Sequence, residues 1–375
     1  MITVIIQVNL VAKVFSSKSL LFSLAIGFVG FLSITLAPGE AMGTRNGGWM
    51  KGSWGVRVVL PACNTSDVYK FSPTKLVGQL KKLRTAKWVM VNATWGGYGG
   101  CFSESISPLL RQIHPYMEPH RDLLDETINL LRANGFKVVV YFAAEGGVGL
   151  KLETMRNKRR RDIRLEIRNR WNDFVSSSGL TNSQAVARFI LDPLAKKLGH
   201  RVDGWWFDHG RHSDPNDLIP VVKKWNPKAL VAWNEGHEGI KCGNRVIWGL
   251  RRSTFLEDYT AGHITDPTGP RGIPPWHPCN ELIIDQIEMQ TKGFQKNGLI
   301  PHVLIPMQRF WRRGKGFPVN RLKTWTWRII KAGGAVTWSV MLVNPEFKYS
   351  KIPEDQLNRL IELDHYLELK GVRPR

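Results

Sequence analysis

The sequence predicts a (β/α)8 barrel of the TIM type, and three observations support this fold. Eight short apolar runs, rich in β-branched residues, alternate with helix-like segments, as expected for a parallel sheet wrapped by helices. The 375 residues exceed the roughly 250 residues of such a barrel and leave room for insertions. No GxGxxG motif follows the first run and no P-loop is present, which disfavours the alternative, a doubly wound open sheet.

The predicted elements follow one another along the chain. The strands cover residues 56–60, 88–91, 138–142, 205–207, 230–233, 254–256, 303–305 and 336–339. The helices between and after them cover residues 74–83, 121–132, 183–198, 218–225, 282–294, 321–331 and 354–369. In the second helix, apolar residues recur on one face from Leu123 to Leu131, and Gly135 ends it. We expect Pro193 to kink or divide the third helix, because proline lacks the amide hydrogen that a helix interior requires.

An N-terminal segment is predicted to lie outside this domain. Residues 20–36 are uncharged and mostly apolar, Lys13 and Lys18 precede them, and Pro38 ends the run. This pattern is typical of a secretory signal cleaved near Ala41, so we divide the chain into residues 1–41 and a barrel domain of residues 42–375. The run is marginal for a membrane span, and an uncleaved anchor is the alternative. Either interpretation predicts a secreted or periplasmic protein.

The chain contains four cysteines, and none of their spacings is the CxxC of a metal cluster. An even number in an exported chain permits two disulfides. Proximity in the predicted strand order favours pairing Cys63 with Cys101 and Cys242 with Cys279.

The formal net charge is +22, and hydrophobic residues make up 43% of the chain. That hydrophobic fraction allows a full core and argues against wholesale disorder. The charge predicts attraction to a polyanion, which can be a nucleic acid, an anionic lipid or an acidic polysaccharide.

Carboxylates, amides and aromatic rings follow the predicted strands, at positions that a barrel brings to its C-terminal rim. The most prominent is Asp208, which ends the apolar, aromatic run 202–208. We predict that the rim binds substrate through Trp95, Tyr98, Glu145, Trp206, His209, Asn234, Glu235, Asp258, Tyr259, Arg309 and Trp311. No cofactor motif, compact metal-ligand triad or GxSxG nucleophile elbow accompanies these residues, so neither a cofactor nor a metal is expected.

Carboxylates on several strand ends, with aromatic walls and no cofactor motif, favour glycoside hydrolysis. That reaction needs one carboxylate as nucleophile or base and a second group as acid, facing one bond. Asp208 is the predicted nucleophile, because the three aromatic residues before it hold it rigidly at the strand end.

The same stretch carries a family resemblance. Residues 202–208, VDGWWFD, resemble the DGLWFDG stretch of the α-L-fucosidases of glycoside hydrolase family 29. Residues 257–260, EDYT, and 331–334, KAGG, are similar to later segments of that family in matching order. The resemblance implies a barrel, a retaining mechanism and a nucleophilic role for Asp208.

The sequence departs from that family at two places. Trp95 and Tyr98 stand where the family has the histidines that hold fucose, so the resemblance predicts the reaction better than the sugar. Residues 261–263, AGH, replace the segment that carries a glutamate in the family. The acid/base is therefore chosen by position alone, as Glu257 at the sixth strand end. Glu235, Glu145 and Glu281 are alternatives.

Together these observations predict an exported retaining glycoside hydrolase, related to α-L-fucosidases, that acts on an acidic or sulfated oligo- or polysaccharide. Basic residues near Arg309 on the predicted rim favour an anionic substrate. The alternative is a non-catalytic barrel that binds a polyanionic glycan, since the family histidines are missing. Nucleic acid is not expected as a partner, because no nucleic-acid-binding motif is present and the chain carries an export signal. The oligomeric state stays open.

Overall fold

A parallel sheet of seven strands forms the centre of the molecule, seen in a computed structural model. The structure describes residues 47–60, 70–93, 113, 121–146, 158–235, 238–264, 274–296, 298–309, 316–340 and 351–375. These residues belong to one compact unit, Thr44–Arg375. The predicted signal or anchor at residues 20–36 lies outside the described residues, and so does the predicted boundary at residue 41.

Nine strands are described, and seven of them form the central sheet. The strands are β1 (Ser53–Val58), β2 (Trp88–Asn92), β3 (Lys137–Ala143), β4 (Gly204–Asp208), β5 (Leu230–Trp233), β6 (Glu238–Cys242), β7 (Arg245–Gly249), β8 (His302–Pro306) and β9 (Ala335–Ser339). The sheet has the order β5-β4-β3-β2-β1-β9-β8, and all its neighbours are parallel. The strands β6 and β7 form a separate antiparallel hairpin.

Helices lie between successive strands of the central sheet, as the alternating pattern predicts. They are α1 (Pro73–Leu80), α2 (Leu123–Ala133), α3 (Lys158–Ser178), α4 (Asn182–Val186), α5 (Asp192–Leu198), α6 (Pro215–Trp225), α7 (Glu281–Lys296), α8 (Val319–Lys331) and α9 (Glu354–Leu369). The predicted helix 183–198 is indeed divided near Pro193, because a π-helical turn, Ala187–Leu191, separates α4 from α5.

An irregular segment, residues 258–264, connects the two edges of the sheet. The amide of Asp258 donates to the carbonyl of Val231 on β5 at 2.7 Å, and the amide of Ile264 donates to the carbonyl of Leu304 on β8 at 3.1 Å. Gly262 permits this close approach, because a Cβ on it would lie 1.8 Å from the carbonyl oxygen of His302. The architecture is therefore TIM-barrel-like, with seven regular strands and this segment in place of an eighth.

The predicted sixth strand, residues 254–256, is wrong. These residues form a turn in which the side chain of Phe255 is 85% exposed. Apolar residues alone suggested a strand there, whereas backbone bonding to the sheet begins at Asp258 and the first side chain of the segment in the lumen is that of Tyr259.

Strand alternation divides the core into two layers. Trp88, Tyr141 and Trp206 point into the lumen, and the rings of Tyr141 and Trp206 stack at 5.3 Å. Trp205 and Phe207 point outwards to the helices. The strand β4 is thus buried on both faces, which explains why its sequence is almost continuously apolar.

One of the two expected disulfides is present. Cys242 at the end of β6 is bonded to Cys279, which lies just before α7. The other predicted pair, Cys63 with Cys101, lies outside the described residues. Within the described residues no helix has both the length and the apolarity needed to cross a membrane.

Candidate active site

Asp208 lies at the C-terminal end of β4, on the lumen side. It is the last residue of the strand and is 8% exposed. Because side chains alternate along a strand, Asp208 shares its face with Trp206, which forms the floor beneath it. A carboxylate is thus brought to the rim of the barrel and kept largely from water.

Both carboxylate oxygens of Asp208 accept hydrogen bonds. The hydroxyl of Tyr141 donates to Oδ2. Nδ2 of Asn234 donates to Oδ1 at 2.7 Å, and the backbone amide of His209 donates to the same oxygen at 3.0 Å. These donors lie on β3, directly after β4 and directly after β5, so the sheet fixes the orientation of the carboxylate. Asn234 was predicted from the sequence, whereas Tyr141 was missed.

The surroundings keep Asp208 ionised. Burial by itself would raise the pKa of this carboxyl, but His209, His263 and the hydrogen bonds from Tyr141 and Asn234 outweigh burial and lower the pKa to about 2. A carboxylate with so low a pKa cannot donate a proton near neutral pH. It is suited to act as a nucleophile.

His209 has a backbone conformation that side chains rarely adopt. Its φ is 58°, which makes it the one residue other than glycine with positive φ in the described part of the chain. The next residue must be small, since a Cβ on Gly210 would lie 2.3 Å from Nε1 of Trp233. Such strain persists only where the surrounding structure enforces it, and it is common at functional sites.

That conformation places the imidazole of His209 between two carboxylates. Its Nδ1 lies 2.7 Å from Oε1 of Glu145, and its Nε2 lies 3.6 Å from Oδ2 of Asp208. A carboxylate on Nδ1 fixes the tautomer and the orientation of the ring. Glu145 is 1% exposed, and its Oε2 has no hydrogen-bond partner within the described residues. Glu145 and His209, both predicted site residues, are therefore brought together beside Asp208.

Arg57 at the end of β1 is a further charged residue of the lumen. Its guanidinium carbon lies 4.5 Å from the centre of the Tyr141 ring, and its Nη1 donates to Oγ of Ser339 at 3.4 Å. Burial lowers the pKa of Arg57, while Tyr141 and Asp208 act in the opposite direction. Arg57 was not among the residues predicted from the sequence.

His263 lies near Asp208 on the irregular segment that connects the sheet edges. Its ring is 5.8 Å from that of Trp206 and 6.1 Å from that of Trp248 on β7, with which it stacks. It is close enough to Asp208 to lower the pKa of that carboxyl. It is also partly exposed, so a second imidazole near Asp208 is accessible to solvent.

Glu257, the predicted acid/base, is placed differently. Its side chain is fully buried at 0% exposure, Oε1 accepts from the amide of Ser253 at 2.7 Å, and Oε2 accepts from the amide of Trp233 at 3.2 Å. Burial raises the pKa of Glu257 to about 8, although those backbone hydrogen bonds act to lower it. Both carboxyl oxygens accept hydrogen bonds from backbone amides, which favours a structural role over proton transfer to a substrate.

Two other predicted residues also serve the framework. Asp258 accepts from Nζ of Lys223 at 2.7 Å and from the amide of Val231 at 3.0 Å. Tyr259 is fully buried, and its hydroxyl donates to the carbonyl of Trp205 at 2.9 Å.

The remaining predicted site residues are distributed as follows. Trp206 is fully buried, with Nε1 donating to the carbonyl of Ala261 at 3.1 Å. Glu235 and Arg309 are exposed after β5 and β8. Trp95, Tyr98 and Trp311 lie outside the described residues.

Comparison with known proteins identifies relatives of the chain. Residues 44–249, more than half of the chain, match the family model described as Endo-alpha(1,4)-fucoidanase Mef1. That range includes Asp208, His209 and Glu145. Comparison with curated proteins found no match.

Several solved structures share the fold. The endo-fucoidan hydrolase P5AFcnA from glycoside hydrolase family 107 is 20% identical, with a TM-score of 0.71 over 86% of this chain and 92% of that chain. The endo-fucoidan hydrolase MfFcnA9 of the same family is 19% identical, with a TM-score of 0.68 over 87% of this chain, which spans 64% of that chain.

A more distant neighbour belongs to the enzymes that the sequence resembled. The unliganded alpha-L-fucosidase AlfC from Lactobacillus casei is 11% identical, with a TM-score of 0.51 over 85% of this chain. The predicted resemblance is therefore correct at the level of fold, while membership of family 29 is not established. The family model that matches more than half of the chain shows instead that the chain belongs to the fucoidanase family of Mef1 and is a glycoside hydrolase.

Proposed function

We propose that this protein is an endo-acting hydrolase of sulfated fucan that works with retention of configuration. The observation that carries the proposal is Asp208, held ionised by Tyr141 and Asn234 at the rim of the barrel. The family description and the structural neighbours named as endo-fucoidan hydrolases support the substrate class. A net charge of +22 suits a polysaccharide that carries sulfate esters.

The mechanism starts with the nucleophile. A carboxylate oxygen of Asp208 attacks the anomeric carbon of a fucosyl residue, and the bond from that carbon to the leaving oxygen breaks. An acid donates a proton to the leaving oxygen, so the product chain departs as an alcohol. Water then attacks the same carbon, gives its proton to the group that served as acid, and frees Asp208.

We assign the acid/base role to His263. It is partly exposed beside Trp206 and Trp248, whereas Glu257 is buried with both oxygens on backbone amides. His209 is the other imidazole near Asp208, but at 3.6 Å it is closer than the roughly 5 Å that separates the two groups of a retaining pair. We therefore give His209 and Glu145 a positioning role.

The nucleophile assignment is tested with purified protein and fucoidan. We expect wild type to shorten the polymer quickly and to release a ladder of sulfated oligosaccharides, as an endo-acting enzyme does. Asp208→Asn should lower kcat by about 10⁴-fold, whereas the control Asp355→Asn, an exposed carboxylate on α9, should not. Azide added to Asp208→Gly should give a glycosyl azide with inverted configuration. Full activity of Asp208→Asn would contradict the proposal.

The acid/base assignment is tested by comparing two variants. We expect His263→Gln to lower kcat by about 10²- to 10⁴-fold and to remove the basic limb of the pH profile. His209→Gln should lower kcat but keep that limb. If His209→Gln removes the limb and His263→Gln does not, the acid is His209.

The sequence left a non-catalytic glycan-binding barrel open as an alternative. The missing family histidines motivated it, and a binding protein would retain fucoidan without shortening it. The polymer-shortening assay separates the two, because only an enzyme changes the size distribution.

We also propose that the protein is exported, with residues 20–36 as signal or anchor. The disulfide between Cys242 and Cys279 supports an oxidising compartment. Fractionation of the producing cells should find the protein outside the cytoplasm. Retention of the reduced protein in the cytoplasm would contradict export.

A further inference from the structure

A basic cavity lies at the end of the barrel opposite Asp208. We call it the basal pocket, and its volume is about 640 Å³. Ser53 and Lys137, which line it, are the first residues of β1 and β3, whereas Asp208 is the last residue of β4. Ala143, the last residue of β3, pairs with Asp208 and lies six residues beyond Lys137. At about 3.3 Å per residue the two ends are therefore roughly 20 Å apart. The basal pocket is therefore distinct from the candidate active site.

Positive charge dominates the lining of the basal pocket. The cationic residues of the lining are Lys51, Lys87, Lys137, Lys331, Lys370, Arg373 and Arg375, and the lining contains no carboxylate side chain. Among the described residues only one of these seven forms an ion pair, between Nζ of Lys137 and Oδ1 of Asp203 at 2.9 Å. Asp203 pairs with Lys137, and Glu288 and Asp364 interact with Lys331 and Arg375 without forming ion pairs. The seven cations still outnumber these carboxylates, which favours an anionic ligand.

The cations have two different structural positions. Lys87 donates to the carbonyls of Arg373 and Pro374, and Arg375 donates to the carbonyls of Leu83 and Ala86, so these side chains hold the C-terminal residues against the barrel. Lys51, Lys331 and Arg373 line the pocket and are exposed. The second group is available to a ligand and can be changed with little effect on folding.

Two indole rings complete the lining, from Trp49 and Trp327. Nζ of Lys370 lies 5.9 Å from the centre of the Trp327 ring. Ligand sites of this size are commonly lined by aromatic rings with a few placed polar groups. Ring faces beside ammonium and guanidinium groups suit a sugar ring that carries a sulfate ester, because the rings contact its apolar face and the cations its charge.

From these features we infer that the basal pocket is a second, non-catalytic site for sulfated residues of the polysaccharide. This inference rests on the proposed function for the choice of sulfated glycan as the anion. A concave pocket with indole walls suits a chain segment better than a flat lipid surface. A polymer held there stays near the enzyme while another part of it, or another chain, is cleaved at Asp208, so the site raises affinity for long chains and leaves short ones unaffected.

The test compares two triple variants in the Asp208→Asn background, which binds without consuming the polymer. The pocket variant carries Lys51→Ser, Lys331→Ser and Arg373→Ser. The control carries Lys75→Ser, Lys82→Ser and Lys228→Ser, which remove the same charge from exposed positions outside the pocket. Each exposed ion pair contributes a few-fold, so we expect the pocket variant to bind fucoidan about tenfold more weakly than the control. Desulfated fucoidan should not distinguish the variants.

Further measurements separate this inference from the proposed function. With an active nucleophile, the pocket variant should keep wild-type kcat on short sulfated oligosaccharides and show a raised KM on long fucoidan only. Equal affinity of the two triple variants for fucoidan would overturn the inference even where hydrolysis is normal. Pocket-dependent binding without any hydrolysis by wild type would support the site and overturn the proposed function.

One more arm tests a lipid ligand. Vesicles of phosphatidylserine and phosphatidylcholine are offered to both triple variants and the parent. If the pocket variant loses vesicle binding but keeps fucoidan binding, the pocket contacts anionic membrane and the inference is wrong. No difference on vesicles, together with weaker fucoidan binding, supports it.

Discussion

The substitution Glu257→Gln separates a catalytic from a structural role for this buried residue. Its oxygens accept from the amides of Ser253 at 2.7 Å and Trp233 at 3.2 Å, and glutamine can replace only one of these acceptors. An unsatisfied buried amide costs about 1–3 kcal/mol. For a domain of this size that corresponds to a loss of about 2–6 °C in Tm. Loss of a catalytic acid would instead lower kcat by about 10²- to 10⁴-fold.

The pH dependence of stability sharpens this test. Burial raises the folded-state pKa of Glu257 to about 8, above its unfolded value, so the folded state binds more protons between these values. This titration alone should lower the free energy of unfolding as pH rises, by up to about 4 kcal/mol between about pH 5 and pH 8. Glu257→Gln lacks this titration, and its deficit in the free energy of unfolding should narrow across the same range.

Two measurements on the same samples decide the outcome. Chemical denaturation at several pH values gives the free energy of unfolding, and polymer shortening gives kcat. We expect lower stability with kcat within about threefold of wild type, which is far less than removal of an acid causes. The reasoning is refuted if kcat falls a hundredfold while stability is unchanged. Glu281→Gln, a partly exposed carboxylate on α7, is the control.

Three further outcomes follow from the site and the disulfide. Tyr141→Phe removes a hydrogen bond to the charged form of Asp208, so the pKa of that carboxyl should rise by about one unit. The acid limb of the kcat/KM profile should move to higher pH by the same amount, and an unchanged limb would contradict this. Glu145→Gln should lower kcat about tenfold or more, with Tm little changed, because it frees the ring of His209; wild-type kcat would show that the pairing is not needed. Cys242→Ala should lower the free energy of unfolding by about 2–4 kcal/mol in chemical denaturation, and equal stability with and without reductant would argue against the bond.

Much of the fold could be predicted because buried parallel strands leave a simple signal. An apolar run such as β3 or β8 indicates a strand buried on both faces. The helices between the strands show the helical spacing of apolar residues. The hairpin β6–β7 was missed because its strands are short and half exposed, without a continuous apolar run. Residues 254–256 misled for the opposite reason, since Phe255 is apolar but exposed.

The site was predictable where strand ends dictate position and not where side chains reach across the lumen. Asp208, His209 and Asn234 follow strands directly, so counting strands selected them. Arg57 lies within the apolar run of β1, where only its alternation with outward residues indicated the lumen. Its contact with Tyr141 depends on how neighbouring strands are staggered, which the sequence does not specify.

The role of His263 illustrates a second limit. The sequence showed that residues 261–263 replace a segment that carries a glutamate in α-L-fucosidases, but gave no reason to choose the histidine. The structure supplies that reason through the irregular path of the chain: Gly262 lets the segment approach β8 closely, and His263 then faces Trp206 and Trp248. Such a path is set by tertiary contacts and leaves no local periodicity.

The sheet register explains why a tyrosine holds the carboxylate of Asp208. Ala143 pairs with Asp208 and Tyr141 pairs with Trp206, so Tyr141 lies one lumen layer below the carboxylate. The small side chain of Ala143 leaves the space above open, and the Tyr141 ring, stacked on Trp206, carries its hydroxyl up to Oδ2. A shorter donor at position 141 could not span that layer, and a larger residue at position 143 would block it. The aromatic filling of the lumen is therefore also what positions the charge, because the rings that close the barrel beneath Asp208 fix the donor that keeps it ionised.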